Sequence, residues 1–425
     1  MQDTIVVAGG GHAAAQVVDS LRRDGYAGRL VMACGEPTLP YQRPPLSKKF
    51  LGGELDAERL PIRHAAYYES IHCELVLGNP VVGIDAGARK VKLSDGGSLG
   101  YDKLVLAIGG HARPLPVPGA DLPGVHVLRT MADVEAIRAR IQPGVRVAVV
   151  GAGYIGLECA ATFRKLGLDV TVIEMMDRVM NRVVAPEMSN FYQAEHASHG
   201  VNVLTERRVK GFLGDGSVHG VECTDDTHVP ADLVIVGIGL VPNCALAQAA
   251  GLECDDGIAV DEHCRTSDPD IYAIGDCCSH PSPRYGRRIR LESVDNAFEQ
   301  AKTVAANICG KATPHDKTPW FWSDQYELKL QIVGLSQNYD KVILRGDPAS
   351  RSFSCCYLRD GELIALDAVN HAKDFMAARK LIAERARPDP AKLADDTVAL
   401  RDSLYCRAWT RSTSSSANSA PCSPG

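Results

Sequence analysis

The sequence predicts an α/β protein with two doubly wound parallel-sheet units and a smaller α+β domain near its C-terminal end. Three observations carry that reading. A strand–glycine–helix pattern occurs twice, each copy has a matching apolar strand further along that ends at glycine, and the pattern stops near residue 315. The chain has 425 residues, 45% of them hydrophobic, enough for two or three cored domains. Glycine is abundant (39) and aromatic residues scarce (6%), which suits tight strand-to-helix turns better than an all-β shell.

In chain order, Thr4-Ile5-Val6-Val7-Ala8 reads as a buried strand and Gly9-Gly10-Gly11 as a turn. The helix that follows carries Ala14, Val17, Val18 and Leu21 on one face. A second copy runs through Arg146-Val147-Ala148-Val149-Val150 and Gly151-Ala152-Gly153, with Leu157, Ala160, Phe163 and Leu166 on the helix. The i, i+3, i+4, i+7 spacing is that of a helix packed on a sheet. Each copy continues into a strand, residues 30–33 and 170–173. The later echoes, residues 101–109 and 231–239, are continuous apolar runs ending at Gly109 and Gly239, as strands buried on both faces should be. Two such units imply two dinucleotide sites. Beyond residue 315, strand-like runs occur at 331–333, 341–344, 353–358 and 362–366, the last two joined by Arg359-Asp360-Gly361, a hairpin signal. A helix is expected over 375–385, and a Ser-rich tail without periodicity, expected to be disordered, over 406–425.

Composition excludes several classes. The net charge of −6 gives no nucleic-acid footprint. Apolar runs such as 104–108 fall far short of the roughly 20 residues of a membrane span, and the first strand begins too early for a leader, so a cytoplasmic protein is expected. The 14 cysteines include no C-x-x-C pair, and thiols of a cytosolic chain stay reduced. No metal-ligand set and no nucleophilic triad stands out.

The first glycine motif is Gly9-x-Gly11-x-x-Ala14 and the second Gly151-x-Gly153-x-x-Gly156. The first glycine makes the turn, the second lets backbone N–H groups approach a pyrophosphate, and the third position must be small for helix–strand packing. Either could be a plain strand–turn–helix; the paired occurrence favours nucleotide binding. Strand two of the second unit ends at Glu174, where a carboxylate accepts from both ribose hydroxyls and opposes a 2′-phosphate. That predicts NADH over NADPH, with Arg178 and Arg182 nearby as the counter-argument.

Leu39-Pro40-Tyr41-Gln42-Arg43-Pro44-Pro45-Leu46-Ser47-Lys48, with Thr266-Ser267-Asp268-Pro269, Ile274-Gly275-Asp276-Cys277 and Pro319-Trp320-Phe321-Trp322-Ser323-Asp324-Gln325, resembles the ferredoxin reductases that serve haem monooxygenases and Rieske dioxygenases. The likeness runs from about residue 4 to residue 405. It implies a glutathione-reductase-like pair of Rossmann-like domains: a discontinuous FAD domain (1–110 and 241–318), an NADH domain (111–240) and a C-terminal interface domain (319–405). Besides the first glycine motif, FAD contacts are expected at Ala13, Glu36, Arg43, Lys48, Val81, Arg129, Asp276, Val294 and Trp322. Asp276 alternatively reads as a helix N-cap. The family carries a stronger acidic signal after strand two of the FAD half, where Cys34-Gly35-Glu36 leaves Glu36 alone to reach the adenosine ribose. Ile155, Arg182, Gly239 and Glu292 join the second motif and Glu174 in the NADH site.

The resemblance also implies the chemistry. NADH gives hydride, a ferredoxin takes single electrons, and flavin mediates. Lys48, paired with Glu158, is expected at the flavin edge as the catalytic pair. A [2Fe–2S] ferredoxin, acidic in such systems, would dock by Arg284, Arg287, Arg288, Arg290, Lys302 and Trp322 and deliver electrons to a haem monooxygenase or Rieske oxygenase. Two rivals share the fold. An NADH oxidase needs a reactive cysteine where this chain has Pro44-Pro45-Leu46-Ser47, and an NADH-binding redox sensor would turn over slowly.

Overall fold

The computed structural model describes residues 3–404; the predicted tail, 406–425, lies outside them. Five parallel strands make the first sheet, in the order Ile271–Ala273, Lys103–Leu106, Thr4–Ala8, Arg29–Ala33, Cys73–Val76. The second sheet repeats the arrangement with Val125–Val127, Leu233–Val236, Arg146–Val150, Asp169–Ile173 and Asn202–Leu204. Registers correspond as well: Val6 lies opposite Val31 and Ala148 opposite Thr171, the third residue of each first strand facing the third of the second. The units differ in their outer strand. Val125–Val127 precedes the rest of its sheet, whereas Ile271–Ala273 returns to the first sheet from beyond the second, so the first unit is assembled from two separated stretches of chain.

The runs are apolar because both faces of a parallel sheet are covered; Val6, Val7, Val149 and Leu233 are fully buried. Helices His12–Arg23 and Val294–Ile308 pack together over the first sheet, and Tyr154–Lys165 packs on the second. Leu166, expected in the apolar stripe of that last helix, is instead its C-cap residue and 38% exposed, since the helix has already ended at Lys165. Two short antiparallel strands, Gly110–Ala112 and Leu240–Pro242, carry the chain between the units side by side.

The C-terminal domain is a five-stranded antiparallel sheet ordered Trp320–Gln325, Leu328–Gly334, Glu362–Val369, Phe353–Arg359, Lys341–Arg345. Asp360 and Gly361 both have positive φ (51° and 79°), the I′ geometry that a two-residue hairpin requires. The helix over this sheet is Ala372–Ala383, three residues earlier at its start than the apolar pattern alone suggests and two shorter at its end. Its buried Asp374 pairs with buried Arg345 at 2.7 Å. The other face of the sheet shares a core with the second unit: Leu330, Phe353 and Tyr357 pack with Leu157, Met188 and Tyr192. The strand Trp320–Gln325 is thereby pressed against the helix Tyr154–Lys165. Among the described residues no helix is long and apolar enough to cross a membrane, and the described cysteines are free thiols.

Candidate functional site

A cavity of about 1150 Å³ opens where the first glycine turn, the Pro44–Ser47 turn, the connecting strands, the start of the helix Tyr154–Lys165 and the strand Trp320–Gln325 converge. It exceeds the roughly 300–1,000 Å³ of ordinary small-molecule pockets. Gly9 has φ +131°, and a Cβ there would lie 2.2 Å from the Ala107 carbonyl oxygen, so the turn tolerates only glycine. Gly11 caps the first helix without a side-chain bond, no acid stands in the first turn, and a Cβ on Gly11 would meet only open space. The helix N–H groups therefore point unpaired at the cavity, where an anion would satisfy them. Ala13 lines that cavity, while Ala14 is fully buried where the helix meets the sheet.

The wall of this cradle is interlocked. Arg129 donates to Asp276 at 3.0 Å and to the Gly110 carbonyl at 3.0 Å. Arg43 donates to Glu36 at 2.5 Å and to the Arg129 carbonyl at 2.8 Å, and Tyr41 donates to the second Glu36 oxygen at 2.6 Å. Glu36 thus faces the cavity with both carboxylate oxygens already bonded, which modifies the expectation of a free ribose acceptor. Asp276 is not an N-cap: the turn Gly275–Cys277 has no side-chain cap bond, and its carboxylate goes to Arg129. Val81, Val294 and Trp322 also line the cavity. His12, at the rim, is pushed down to about 4 by burial and then by Arg43 and Arg129, so it is neutral at pH 7.

At the floor, Lys48 Nζ lies 2.7 Å from Glu158 Oε2. Lys48 is held by a turn that Pro44 and Pro45 stiffen and that buried Leu46, Phe50 and Leu51 anchor. Glu158 is only 3% exposed, on the face of its helix that meets the C-terminal strand. Ser47 Oγ donates to its Oε2, and Ser323 Oγ to its Oε1 at 2.7 Å. Three donors on one buried carboxylate offset much of the cost of removing it from water. Tyr154 and Phe321, edge to face at 5.4 Å, cover the floor.

The second cradle repeats the first. Gly151 has φ +100° with the Gly237 carbonyl 2.5 Å from a Cβ, Gly156 has the Gly151 carbonyl at 2.0 Å, and Gly153 caps its helix without a side-chain bond and faces open space. Glu174 accepts from the backbone N–H of Ala152 and of Met176, both at 2.8 Å, which aims its carboxylate across the turn. Exposed Arg182 lies beside Gly239. Arg178, the other candidate for a 2′-phosphate, is spent on Val184, Asn181 and Ser189. Ile155 and Glu292 line the main cavity, linking the two cradles.

Much of the basic docking set is engaged within the chain. Arg284 donates to the carbonyls of Ile382 and Ala383, Arg288 to those of Val260 and Ser279, and Arg290 pairs with Asp256 and Glu292, because each closes a loop. Arg287 and Lys302 remain exposed, Lys302 paired with Glu299 at 2.5 Å. A smaller cavity of about 430 Å³ lies beyond Lys48 and Trp322, bordered by Lys49, Arg63 and Asp324.

Sequence reasoning missed Ser47, Ser323 and Gln300, whose Oε1 accepts from the Gly275 N–H at 2.7 Å. For Ser323 a signal existed: strand alternation in Trp322-Ser323-Asp324 turns the serine inward when the tryptophan faces out.

Residues 3–301 match the family model described as pyridine nucleotide-disulphide oxidoreductase, and residues 320–404 the one described as Reductase C-terminal. The chain is 46% identical over 397 residues to a ferredoxin–NAD(P)(+) reductase of Sphingomonas sp, covering 92% of this chain and 96% of the relative. It is 43% identical to the putidaredoxin reductase of Pseudomonas putida, covering 94% and 96%. Among solved structures it is similar to a ferredoxin reductase from Rhodopseudomonas palustris (TM-score 0.92, 44% identity, 95% and 100% covered) and to putidaredoxin reductase in covalent complex with putidaredoxin (TM-score 0.91, 43% identity, 94% and 97% covered).

Proposed function

This chain belongs to the pyridine nucleotide-disulphide oxidoreductase family, and from that membership we propose that it is an FAD-dependent NADH:ferredoxin oxidoreductase. It takes hydride from NADH and hands electrons singly to a [2Fe–2S] ferredoxin that serves a haem monooxygenase or Rieske oxygenase. The observation that carries this reading is the meeting of the first uncapped glycine cradle and the start of the second cradle's helix at the Lys48–Glu158 pair, whose carboxylate is buried. The relatives' names support the acceptor, since they are ferredoxin and putidaredoxin reductases, one of them solved with putidaredoxin attached.

FAD, when bound, supplies a ring that takes up two electrons together and returns them one at a time. Its pyrophosphate is assigned to the Gly9–Gly11 turn, with Arg43, Arg129 and Asp276 around it and Ala13, Val81, Val294 and Trp322 as apolar wall. The Gly151–Gly156 turn is assigned to NADH, with Glu174 disfavouring a 2′-phosphate and Arg182, Gly239, Ile155 and Glu292 along its path. Lys48 provides a fixed positive charge that favours the negative charge gained on reduction, and Glu158 holds the ammonium in place. Tyr154, Phe321 and Trp322 keep bulk water from the floor, which strengthens that charge. The division into 1–110 with 241–318, 111–240 and 319–405 belongs to the same proposal, as does a cytoplasmic location, where free thiols persist.

The oxidase alternative loses support from the cavity thiols. Burial pushes Cys34 up to about 12 and raises Cys244, so neither offers a thiolate. The test is anaerobic mixing of purified yellow protein with NADH, followed by turnover with a panel of [2Fe–2S] ferredoxins. Bleaching by NADH and acceptor-dependent turnover are expected; protein that takes up no FAD, or keeps its colour with NADH, sinks the proposal.

A further inference from the structure

Glu158 is the end of a longer chain of hydrogen bonds that no step described so far uses. Ser323 Oγ lies 2.7 Å from Glu158 Oε1 and also accepts from Gln325 Nε2 at 3.2 Å. Gln325 Oε1 lies 2.8 Å from His196 Nε2, and the Tyr326 hydroxyl lies 3.2 Å from His196 Nδ1. Ser323, Gln325 and His196 are buried, and Tyr326, stacked on His199 at 3.7 Å, is half-buried at the surface end.

The chain has one direction. A carboxylate only accepts, so the single Ser323 proton goes to Glu158, and the serine oxygen is left to accept from the Gln325 amide. The amide oxygen then requires an N–H from His196 Nε2. Burial, partly opposed by the Gln325 bond, pushes His196 down to about 4, which makes the ring neutral and leaves Nδ1 to accept from Tyr326. Every donor from the surface inward is aimed at Glu158, and aligned donors of this kind polarise one another. Lys48 reaches the same carboxylate from the opposite side with Ser47. The neighbouring titratable groups do not compete for it: burial raises the Cys159 thiol and the Tyr192 phenol, and Asp324 lines the smaller cavity on the other face of the strand.

We infer that Ser323, oriented by Gln325 and His196, is a positioning residue for the reductive half-reaction: it fixes the Glu158 carboxylate in one orientation and through it the Lys48 ammonium at the cavity floor. This rests on the oxidoreductase reading and specifies how its central pair is held. The strand Trp320–Gln325 then has two duties on alternate faces, with Trp322 toward the cavities and Ser323 and Gln325 toward Glu158.

The test is a double-mutant cycle on the FAD-loaded full chain, reading the limiting rate of flavin bleaching by NADH in an anaerobic stopped-flow instrument. Ser323→Ala is expected to lower that rate about tenfold, with FAD content and NADH half-saturation unchanged, and Glu158→Gln to lower it further. In the double variant the serine change should add nothing to Glu158→Gln, because it acts only through the carboxylate. A serine without a glutamate to orient has no work to do. An additive loss, or a wild-type rate in Ser323→Ala, overturns the inference and leaves the oxidoreductase reading intact. A wild-type rate in Glu158→Gln overturns it too, whereas wild-type protein that NADH fails to bleach removes the reading beneath it. Should Ser323→Ala not fold, Ser323→Cys, which keeps the shape and donates only weakly, completes the same cycle with the same expectation.

Discussion

The two nucleotide cradles share backbone geometry and differ in what surrounds it. The first is walled by Arg43, Arg129, Glu36 and Asp276, bonded to one another, and lies under the C-terminal strand. The second faces outward: Ile155 is 45% exposed, Met175 56%, and Arg182 lies on the surface. An interlocked wall lowers the ordering cost of binding and slows escape, while an open turn with exposed side chains suits a molecule that arrives and leaves each cycle. The same loop can thus serve a resident group or a visiting one, and the difference lies in its neighbours.

The sharpest break of that comparison is a matched pair of substitutions. Gly11 and Gly153 both leave a Cβ in open space, so Gly11→Val and Gly153→Val start their added bulk where a phosphate would sit. The Gly11 variant should purify without flavin and without activity. The Gly153 variant should stay yellow and lose only nucleotide affinity, with KM for NADH raised on the order of tenfold, about 1.4 kcal/mol. Flavin content by absorbance and steady-state KM decide it; a colourless Gly153→Val and a yellow Gly11→Val would reverse the assignment.

Where the cradles meet, Lys48→Met keeps length and removes charge. The limiting rate of reduction by NADH should fall on the order of 10²-fold, the usual cost of deleting one charge-stabilising donor. Stability should fall by no more than about 3 kcal/mol, the low end for breaking a buried pair, because the Lys48 side chain is partly exposed and Glu158 keeps two serine donors. Equal bleaching rates in the variant and the wild type would show that the pair is structural.

How much of this was legible in the sequence follows from the range of each interaction. The glycine turns, their strands and helices, and the Asp360-Gly361 hairpin are local, set by positive φ and apolar periodicity over a dozen residues. The doubly wound class follows from repetition. The helix Ala372–Ala383 was misplaced at its ends because its first turn, Ala372-Lys373-Asp374, is polar, and Asp374 is drawn inward by Arg345 from another strand. Ser323 on Glu158 spans 165 residues, and Gln300 on Gly275 spans 25; neither partner choice has a local signature. The engagement of the arginines has no local signature for the same reason, since Arg284 and Arg288 donate to carbonyls that only the folded chain brings near.

Acid should expose the contrast between regions next. His12, His280 and His315, around the first unit, fall to about 4, 3 and 4, chiefly through burial; on the second, His196 falls to about 4 and burial also lowers His126. A histidine with a depressed folded pKa contributes stability that is complete above its unfolded value near 6.5 and is lost as pH falls toward the folded value. Each pKa unit corresponds to about 1.4 kcal/mol. Flavin release should therefore begin between about pH 6.5 and 4. A His280→Gln variant, which cannot charge, should move the midpoint to lower pH in a flavin-fluorescence titration; an unmoved midpoint would locate the acid sensitivity elsewhere.

The smallest expected effect concerns the outer surface, where the comparison is between charges already spent and charges still free. Arg290 is 12% exposed with two carboxylate partners, and Arg288 is tied to carbonyls, whereas Arg287 and Lys302 are exposed, Arg287 bonded only to neutral acceptors, Gln337 and the Arg288 carbonyl. Rim charges steer an acidic partner and act on association more than on the bound state. Arg287→Gln and Lys302→Gln should each slow ferredoxin-dependent turnover at sub-saturating ferredoxin by about two- to fivefold, about 0.4–1 kcal/mol and within the range of an exposed pair. Bleaching by NADH should be unaffected, and the deficit should shrink as salt rises, because screening removes from the wild type what the variants already lack. Lys302 has the weaker claim, since Glu299 neutralises it within the same helix. A loss that persists at high salt would mean that these side chains make a packed contact with the partner, whereas no loss at any salt would move the docking surface away from them and closer to Trp322.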